Sequence, residues 1–422
     1  MKKRQYIRFM SSIVTSILVA VSILGMQIAA MKPLCTIVLI VSSVLLFAII
    51  LVFLLENKIY KGYKYAYLYW KTKNNLEKEL IDSGFGKQKK HYIELPRIKI
   101  NFYNNLETGI IRIRNSIKFN NRLDDIVLSA ALYDFVVSKH YTTRDCNQFV
   151  YELRNINVSY KQEFTSIEDF LNYHKTEYSL FLDARSSVNL KSILLVGITG
   201  SGKTYALLSL ILQLCSKRFK PVFYIADPKN STLMILANKL SIEKRASKIN
   251  DIIELIERFG EIITQRENEL NEYLERRITA DYSDCALTPN ILVIDEFTAL
   301  SAKLATIEKA RRERVFSILH DAILKGRQLG CFVFIIMQKS DSNYIPTSLR
   351  ENIPLKIVLG NSGEQTYITA FGSNTEIPNY KFEKGEGIFV DSEYSNDPEF
   401  VQFPALDFDR IEAIDYIKER YY

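Results

Sequence analysis

The chain has 422 residues, a formal net charge of +7, 47% hydrophobic residues and 24% charged residues. This composition excludes a collagen-like, mucin-like or wholly disordered protein, and it leaves room for two to three domains of about 150 residues each. The basic excess is N-terminal, because residues 1–90 carry 14 Lys and Arg against 4 Asp and Glu. The rest of the chain is close to neutral, so the overall charge does not by itself indicate nucleic-acid binding.

Two uncharged stretches, residues 9–31 and 33–55, predict a transmembrane hairpin. Each exceeds the ~20 apolar residues that a helix needs to cross about 30 Å of hydrocarbon. Both outer flanks are rich in Lys and Arg whereas the connection has only Lys32, so the positive-inside rule places both ends in the cytoplasm. A signal peptide is the alternative for the first stretch, but the second stretch would still anchor the chain.

The cysteines agree with a cytoplasmic location. They are scattered, form no CxxC pair and lie near no His at metal-ligand spacing. We therefore expect reduced thiols rather than disulfides or a zinc site at Cys35, Cys146, Cys215, Cys285 and Cys331.

Residues 59–90 follow the hairpin as a basic, aromatic segment. The stretch "YKGYKYAYLYWK" (60–71) interleaves Tyr and Trp with Lys. Such a stretch can stack on bases, but directly after a membrane span a belt at the lipid interface is the favoured interpretation. Residues 72–90 are predicted to be a linker or a surface helix.

Residues 91–182 are predicted to form a small α+β domain. Alternating apolar and polar residues predict strands in 91–103 and 108–119. Apolar spacing predicts helices in 122–139 and 145–155. No catalytic pattern stands out in this segment.

Residues 183–422 are predicted to form an α/β domain with a mainly parallel sheet. Five short apolar runs lack the alternation of half-exposed strands, which is typical of strands buried on both faces. Helical stretches lie between them, the longest within 249–278. The runs are "SILLV" (192–196), "PVFYIA" (221–226), "NILVID" (290–295), "CFVFIIM" (331–337) and "PLKIVLG" (354–360).

A phosphate-binding loop follows the first run. "GITGSGKT" fits G-x-x-x-x-G-K-[ST], and a buried strand precedes it while an apolar helix follows. Glycines allow close approach to phosphate, Lys203 neutralises the β- and γ-phosphates, and Thr204 offers a hydroxyl to Mg²⁺. The residues expected to contact ATP are Gly197, Thr199, Gly200, Ser201, Gly202, Lys203, Thr204 and Tyr205.

Polar side chains after two later runs complete the predicted site. Asp295 ends one run and is expected to hold Mg²⁺ together with Thr204. Glu296 follows and is expected to orient and deprotonate the attacking water, which makes hydrolysis the favoured reaction. Gln338 follows the next run and is expected to sense the γ-phosphate.

Together these elements resemble the FtsK/SpoIIIE family of DNA-pumping ATPases over about residues 183–404. The Asp227-Pro228-Lys229 triplet and the run ending Asn352-Ile353-Pro354 are typical of that family. The resemblance implies a RecA-like core, a ring that is commonly hexameric, and DNA in its channel. Met337 and Lys339 flank Gln338 where the family usually has Thr and Arg. Arg327, with Arg350 as the alternative, is the candidate to reach a neighbouring subunit's nucleotide.

The hairpin, the small domain and the single motor domain resemble the TcpA-type coupling proteins of Gram-positive conjugative elements. That resemblance implies transfer of a relaxase–DNA substrate toward a channel. The alternatives are a protein-export motor of the same superfamily, a chromosome- or plasmid-partitioning DNA pump, and a membrane scaffold that uses nucleotide as an assembly switch.

A basic stretch at 301–315 is the candidate DNA grip. Positive charge suffices for phosphate contacts. A solvated helix face with Glu308 and Glu313 as partners is an equally good interpretation. The cations are Lys303, Lys309, Arg311, Arg312 and Arg314.

Overall fold

A computed structural model describes residues 3–28, 32–85, 87–89, 92–115, 128, 132, 134–173, 176–275, 279–341, 343–372, 380–394 and 398–421. These residues form two compact units, Met1–Val158 and Ser159–Tyr422. All five cysteines are free thiols, as predicted.

The first unit begins with two apolar helices, α1 (Lys3–Gly25) and α2 (Lys32–Glu56), which pack against each other. By length and composition, each is able to cross a membrane. Only 11% and 6% of their apolar windows are buried, so most of this apolar surface is exposed. Helix α2 matches the predicted stretch 33–55 to within one residue at each end, whereas α1 begins six residues before the predicted stretch 9–31 and ends at Gly25. Residues 29–31 lie outside the described part of the chain.

An antiparallel sheet backed by a third helix forms the rest of the first unit. The sheet has the order β3-β4-β6-β5. Helix α3 (Tyr63–Asp82) buries Leu76 and Leu80 in the same core as Ile100 and Ile111 of the sheet. Residues 72–90, predicted to be a linker or a surface helix, thus begin with the second half of α3, which has one face buried in the core. The strands are β1 (Lys87–Gln88), β2 (Ile93–Glu94), β3 (Ile98–Tyr103), β4 (Thr108–Arg114), β5 (Phe135–Thr142) and β6 (Gln148–Asn155).

The prediction of a helix at 145–155 was wrong, because this segment contains strand β6. Its apolar residues Phe149 and Leu153 stand four apart, which fits a helix, but Phe149, Tyr151 and Leu153 also alternate and face the core. Pairing of β6 with strands on both sides satisfies its backbone groups in the extended form. The predicted helix at 122–139 falls mostly outside the described residues, and its end, from Phe135, belongs to β5.

The second unit is built on an eight-stranded sheet of order β12-β11-β13-β14-β10-β15-β16-β17. The first six strands run parallel, and the sheet is extended by two antiparallel pairings, of β16 with β15 and of β17 with β16. The eight strands of this sheet are β10 (Ile193–Gly197), β11 (Val222–Ala226), β12 (Arg245–Ala246), β13 (Asn290–Ile294), β14 (Cys331–Met337), β15 (Leu355–Leu359), β16 (Glu386–Asp391) and β17 (Glu399–Gln402). The remaining strands form two-stranded sheets, β7 (Glu163–Phe164) with β18 (Ala405–Leu406) and β8 (Ser179–Phe181) with β9 (Ser187–Asn189).

Helices accompany these strands throughout the second unit, which confirms the α/β prediction. The five predicted apolar runs are β10, β11, β13, β14 and β15, which are neighbours in the sheet and almost wholly buried. The helices are α4 (Ile167–Tyr173), α5 (Lys203–Cys215), α6 (Thr232–Lys239), α7 (Ile249–Leu274), α8 (Phe297–Leu304), α9 (Lys309–Leu329), α10 (Thr347–Asn352), α11 (Glu364–Phe371) and α12 (Arg410–Tyr421).

Part of the segment predicted to belong to the small domain packs with the second unit instead. Phe170 and Phe181 are fully buried in the same core as Ile193 and Leu210. In addition, β7 pairs with β18 near the other end of this unit. The break between the two compact units therefore falls at Val158–Ser159.

Candidate active site

The glycine-rich loop joins the carboxyl end of β10 to the start of α5. Gly200 and Gly202 adopt φ of 86° and 102°, a region that favours glycine. At Gly202 a Cβ would lie 2.7 Å from the backbone nitrogen of Gly385, so a side chain is also excluded by packing. The loop therefore wraps the amino end of α5, where backbone N–H groups are available to an anion.

Lys203 is the first residue of α5 and points back into the loop. Its Nζ donates to the carbonyl of Gly197 and, at 3.1 Å, to that of Ile198. Burial lowers the pKa of Lys203, while the carboxylates of Glu296 and Asp295 act in the opposite direction. The ammonium group is thus held between the loop and the acidic pair.

The acidic pair follows β13, at the same sheet edge as the loop. Asp295 accepts hydrogen bonds from Ser231 Oγ at 3.2 Å and from the Glu296 backbone at 3.0 Å. Burial, together with the nearby carboxylates of Asp227 and Glu296, raises the pKa of Asp295 to about 6. Three carboxyl groups, those of Asp227, Asp295 and Glu296, thus lie close together beside Lys203.

Glu296 occupies an unusual backbone position. Its φ of 51° is rare for a residue other than glycine and marks local strain. Its Oε1 accepts a hydrogen bond from Gln338 Nε2 at 2.7 Å and forms an ion pair with Lys229 Nζ at 3.1 Å. The predicted Glu296 and Gln338 are therefore in direct contact, and Lys229 joins them.

Asp227 organises the loop that carries Lys229. It lies just after β11, and its side chain accepts hydrogen bonds from the backbones of Lys229 at 3.0 Å and Ser231 at 2.6 Å. Lys303 Nζ also donates to the carbonyl of Pro228 at 2.9 Å. The Asp-Pro-Lys triplet thus forms a fixed turn that presents Lys229 to Glu296.

The loop from Thr199 to Thr204, the acidic pair and Gln338 line one cavity of about 480 Å³. Its polar side carries the loop, the acidic pair and Gln338. Its apolar side is formed by α5, α6 and the start of α12, with Leu208, Ile211, Ile235, Leu236, Ile411 and Ile414.

Two cavity residues that the sequence does not indicate pack on Tyr205. Lys384 Nζ lies 4.3 Å and Arg410 Cζ 4.4 Å from the centre of the Tyr205 ring. Arg410 also donates a hydrogen bond of 2.5 Å to the Tyr205 hydroxyl. Because these residues are far apart in the chain, no local spacing links them.

The arrangement fits a nucleotide with Mg²⁺. The loop offers N–H groups and Lys203 to phosphates, and the buried hydroxyl of Ser201 has no hydrogen-bond partner in the described structure. Thr204 and Asp295, the residues expected to hold the ion, both line the cavity. Bound Mg²⁺ would supply charge neutralisation on the β- and γ-phosphate oxygens and would offset the clustered carboxylates.

The two candidate trans-acting arginines lie apart from this cavity. Arg327 is in the last turn of α9, before β14 begins, and thus at the opposite edge of the sheet from Gln338. It is 76% exposed and pairs with Glu393 at 3.3 Å. Arg350 lies in α10, and its Nη1 is buried without a hydrogen-bond partner in the described structure. A role at a neighbouring subunit stays a prediction for both.

The basic stretch at 301–315 has partners within its own unit. Lys309 pairs with Glu313 at 3.7 Å, and Arg314 pairs with Glu257 of α7, also at 3.7 Å. Both cations remain more than half exposed, at 77% and 66%. The contacts match the solvated-face interpretation, and the exposure leaves the DNA interpretation open.

Comparison with known proteins finds similarity over the segment that carries this site. A family model described as an AAA domain matches residues 189–341. The FtsK domain-containing protein YdcQ of Bacillus subtilis (strain 168) is 27% identical over 198 residues. The alignment covers 47% of this chain and only 40% of YdcQ.

Solved structures with a similar fold include the pCW3 conjugation coupling protein TcpA, in a monomer form with ATPγS. The TM-score is 0.50 at 14% identity, and the match covers 83% of this chain and 99% of TcpA. EssC (ATPases 2 and 3) of Geobacillus thermodenitrificans scores 0.45 at 14% identity, covering 63% of this chain and 52% of EssC. The loop and the acidic pair lie within or beside the matched AAA segment, and together they show that the chain contains a P-loop ATPase domain.

Proposed function

We propose that the protein is a membrane-anchored ATPase that couples ATP hydrolysis to DNA movement, as a coupling protein in conjugative transfer. The observation that carries the hydrolysis step is the contact between Glu296 and Gln338 beside the phosphate-binding loop. A carboxylate held there can take a proton from water as it attacks the γ-phosphate. The link to DNA comes from similarity to an FtsK-domain protein and to the TcpA fold.

Each site residue has a proposed role. Lys203 and the loop N–H groups bind the phosphates, and Thr204 and Asp295 hold Mg²⁺. Glu296 is the general base. Gln338 donates to the general base and lines the cavity. Loss of the γ-phosphate would therefore free its side chain to move, and β14, which ends at the preceding residue, would move with it.

The proposed cellular arrangement follows from the apolar helices. We place α1 and α2 in the cell membrane and both termini with the ATPase domain in the cytoplasm, because the outer flanks are basic. A homo-oligomeric ring, hexameric by family resemblance, would surround the DNA. A relaxase and channel proteins would be its partners.

The direct test is the ATPase rate of the full-length protein in detergent with and without DNA, across a range of salt. DNA should raise the rate several-fold, and the stimulation should fall as salt rises, because phosphate contacts release counterions. Hydrolysis that ignores DNA at every salt concentration would contradict a DNA motor and favour a protein-export motor or a nucleotide switch.

Arg410 provides a prediction for nucleotide affinity. Replacing Arg410 with Ala removes its contact with the Tyr205 ring and hydroxyl, and thus one support of the cavity wall. A cation–π contact with a charge-assisted hydrogen bond is worth about 1–2 kcal/mol, so the Kd should rise roughly 5–30-fold. Titration with a fluorescent ATP analogue measures the change. Arg420→Ala, on the same helix but bonded to Tyr416, is the matched control, and equal affinities in both variants would contradict the prediction.

A further inference from the structure

A second, strongly cationic cavity lies in the first unit, on the antiparallel sheet. It measures about 310 Å³ and is lined by Arg97, Lys99, Arg112 and Arg114 together with Asp145, Asn147 and Gln148. We call the four basic residues the cationic cluster. Lys99 and Arg112 are direct partners across β3 and β4. The Arg114 backbone donates to the Arg97 carbonyl at 2.9 Å.

Among the described residues, the four cations of the cluster share their cavity with a single carboxylate, that of Asp145. Within the part of the chain that the structure describes, none of its four side chains forms an ion pair. The one carboxylate of the cavity, Asp145, is bonded to its own loop: it accepts from Thr143 Oγ1 at 2.5 Å and from Asn147 Nδ2 at 2.9 Å. Four like charges held close together are unfavourable unless an external anion neutralises them.

The cluster lies near the point where the apolar hairpin ends. Two residues beyond the end of α2, Lys58 Nζ donates to the Ile100 carbonyl at 2.7 Å and to Asn101 Oδ1 at 2.6 Å. Lys99 and Asn101 share one face of β3, since Ile100 between them points into the core. Residues two apart on a strand are separated by about 7 Å, so the cluster begins about 7 Å from the anchor of the hairpin.

Exposed aromatic residues mark the same region. A larger cavity of about 890 Å³ contains Arg97 and Lys99 of the cluster together with Lys58 and Trp70. Trp70 is 52% exposed, and Tyr60, Tyr63 and Tyr67 are also exposed. Exposed Trp and Tyr beside an apolar helix are typical of the headgroup level of a membrane.

We propose that the cationic cluster binds the phosphate headgroup of an anionic phospholipid in the leaflet that faces the sheet. This inference rests on the proposed membrane placement of α1 and α2. With α2 in the membrane, the cluster would begin about 7 Å from Lys58, which lies two residues beyond that helix, and thus within about one Debye length of the bilayer surface. A lipid is favoured over DNA because the negative charge of that surface repels a second polyanion. Bound lipid would fix the sheet against the membrane and so set the orientation of the first unit.

The test uses the full-length chain in lipid nanodiscs and its single tryptophan, Trp70. Two sets of nanodiscs are prepared, one with brominated phosphatidylglycerol and one with brominated phosphatidylcholine. In both sets the bromine lies near the headgroup, and the brominated lipid makes up the same mole fraction of otherwise unlabelled lipid. Bromine quenches a nearby indole, so the ratio of the two quenching efficiencies measures headgroup selectivity. Wild-type protein should prefer the anionic lipid. Arg112→Gln with Arg114→Gln should lose about fivefold in selectivity per cation removed.

Two controls keep the result specific. Lys309→Gln with Arg314→Gln makes the same change in net charge on α9 of the second unit and should keep the wild-type ratio; an equal loss there would overturn the proposal. Extraction of the membrane fraction with alkaline carbonate separately tests the hairpin, because release of the protein would refute the membrane placement itself. The ATPase rate of the cluster variant should equal that of wild type, as a check on folding.

Competition distinguishes the sources of phosphate. Millimolar inorganic phosphate and glycerol phosphate should leave the lipid preference intact; displacement by either would mean that the cluster takes a soluble phosphate instead. The affinity of the same variants for a labelled DNA duplex is also measured, to test whether the cluster binds DNA. Loss of duplex affinity in the cluster variant with lipid selectivity unchanged would overturn the lipid assignment in favour of DNA.

Discussion

Replacing Glu296 with Gln should lower steady-state ATP hydrolysis by about 10²–10⁴-fold while nucleotide binding persists. The amide has nearly the same shape and lies in the same contact with Gln338, but it cannot accept a proton from water. Phosphate release measures the rate, and titration with a fluorescent nucleotide measures binding. Lys203→Ala should instead weaken nucleotide binding itself, because it removes a contact with the phosphates.

Gln338→Ala is the matched control for this variant. It removes the donor at 2.7 Å from Glu296 but leaves the carboxylate and its ion pair with Lys229 in place. The rate should therefore fall by less than in Glu296→Gln. A Glu296→Gln protein that keeps more than about a tenth of the wild-type rate would mean that another group activates the water.

Gly326→Ala should destabilise the second unit by more than the usual 1–3 kcal/mol for overpacking. A Cβ at Gly326 would lie 1.9 Å from the carbonyl oxygen of Cys331, the first residue of β14. That clash is with backbone, so α9 or the central strand must shift. A loss of about 3 kcal/mol corresponds to a fall in apparent Tm of roughly 6–12 °C for a unit of this size. Thermal unfolding in detergent measures it.

Gly260→Ala serves as the matched control. Gly260 also lies inside a helix, but its Cβ would meet only the side-chain atoms of Ile318, at 3.0 Å. That side chain can turn away, and Ala favours the helix by up to about 1 kcal/mol. The apparent Tm should stay constant or rise slightly. Equal falls in both variants would show that helix packing in general, and not the approach to Cys331, limits stability.

The phosphate site was largely predictable from sequence because its parts are local. A phosphate-binding loop requires glycines and a Lys at fixed spacing between a strand and a helix, and parallel strands bring Asp295, Glu296 and Gln338 to the same edge. The structure confirms β13 and β14, the strands directly after which these three residues lie. The roles of the residues remain predictions that the variants above test.

The contacts that escaped prediction depend on distant parts of the chain. Arg410 and Tyr205 are 205 positions apart, and nothing near either one indicates their contact. Strand β6 was mistaken for a helix because its apolar spacing fits both periods, and pairing with β4 and β5 decides between them. Helix α3 was partly read as a linker because its surface is Lys-rich, although its opposite face is buried.

The contact between Arg410 and Tyr205 also has a consequence for synthesis. At 5–20 residues per second, the ribosome adds Arg410 about 10–40 s after Tyr205. During that interval the apolar hairpin and the glycine-rich loop already exist, but one wall of the nucleotide cavity does not. With α1 and α2 placed in the membrane as proposed, insertion of the hairpin would precede completion of the ATP site, and a nascent chain would reach the bilayer before it is able to hold nucleotide tightly.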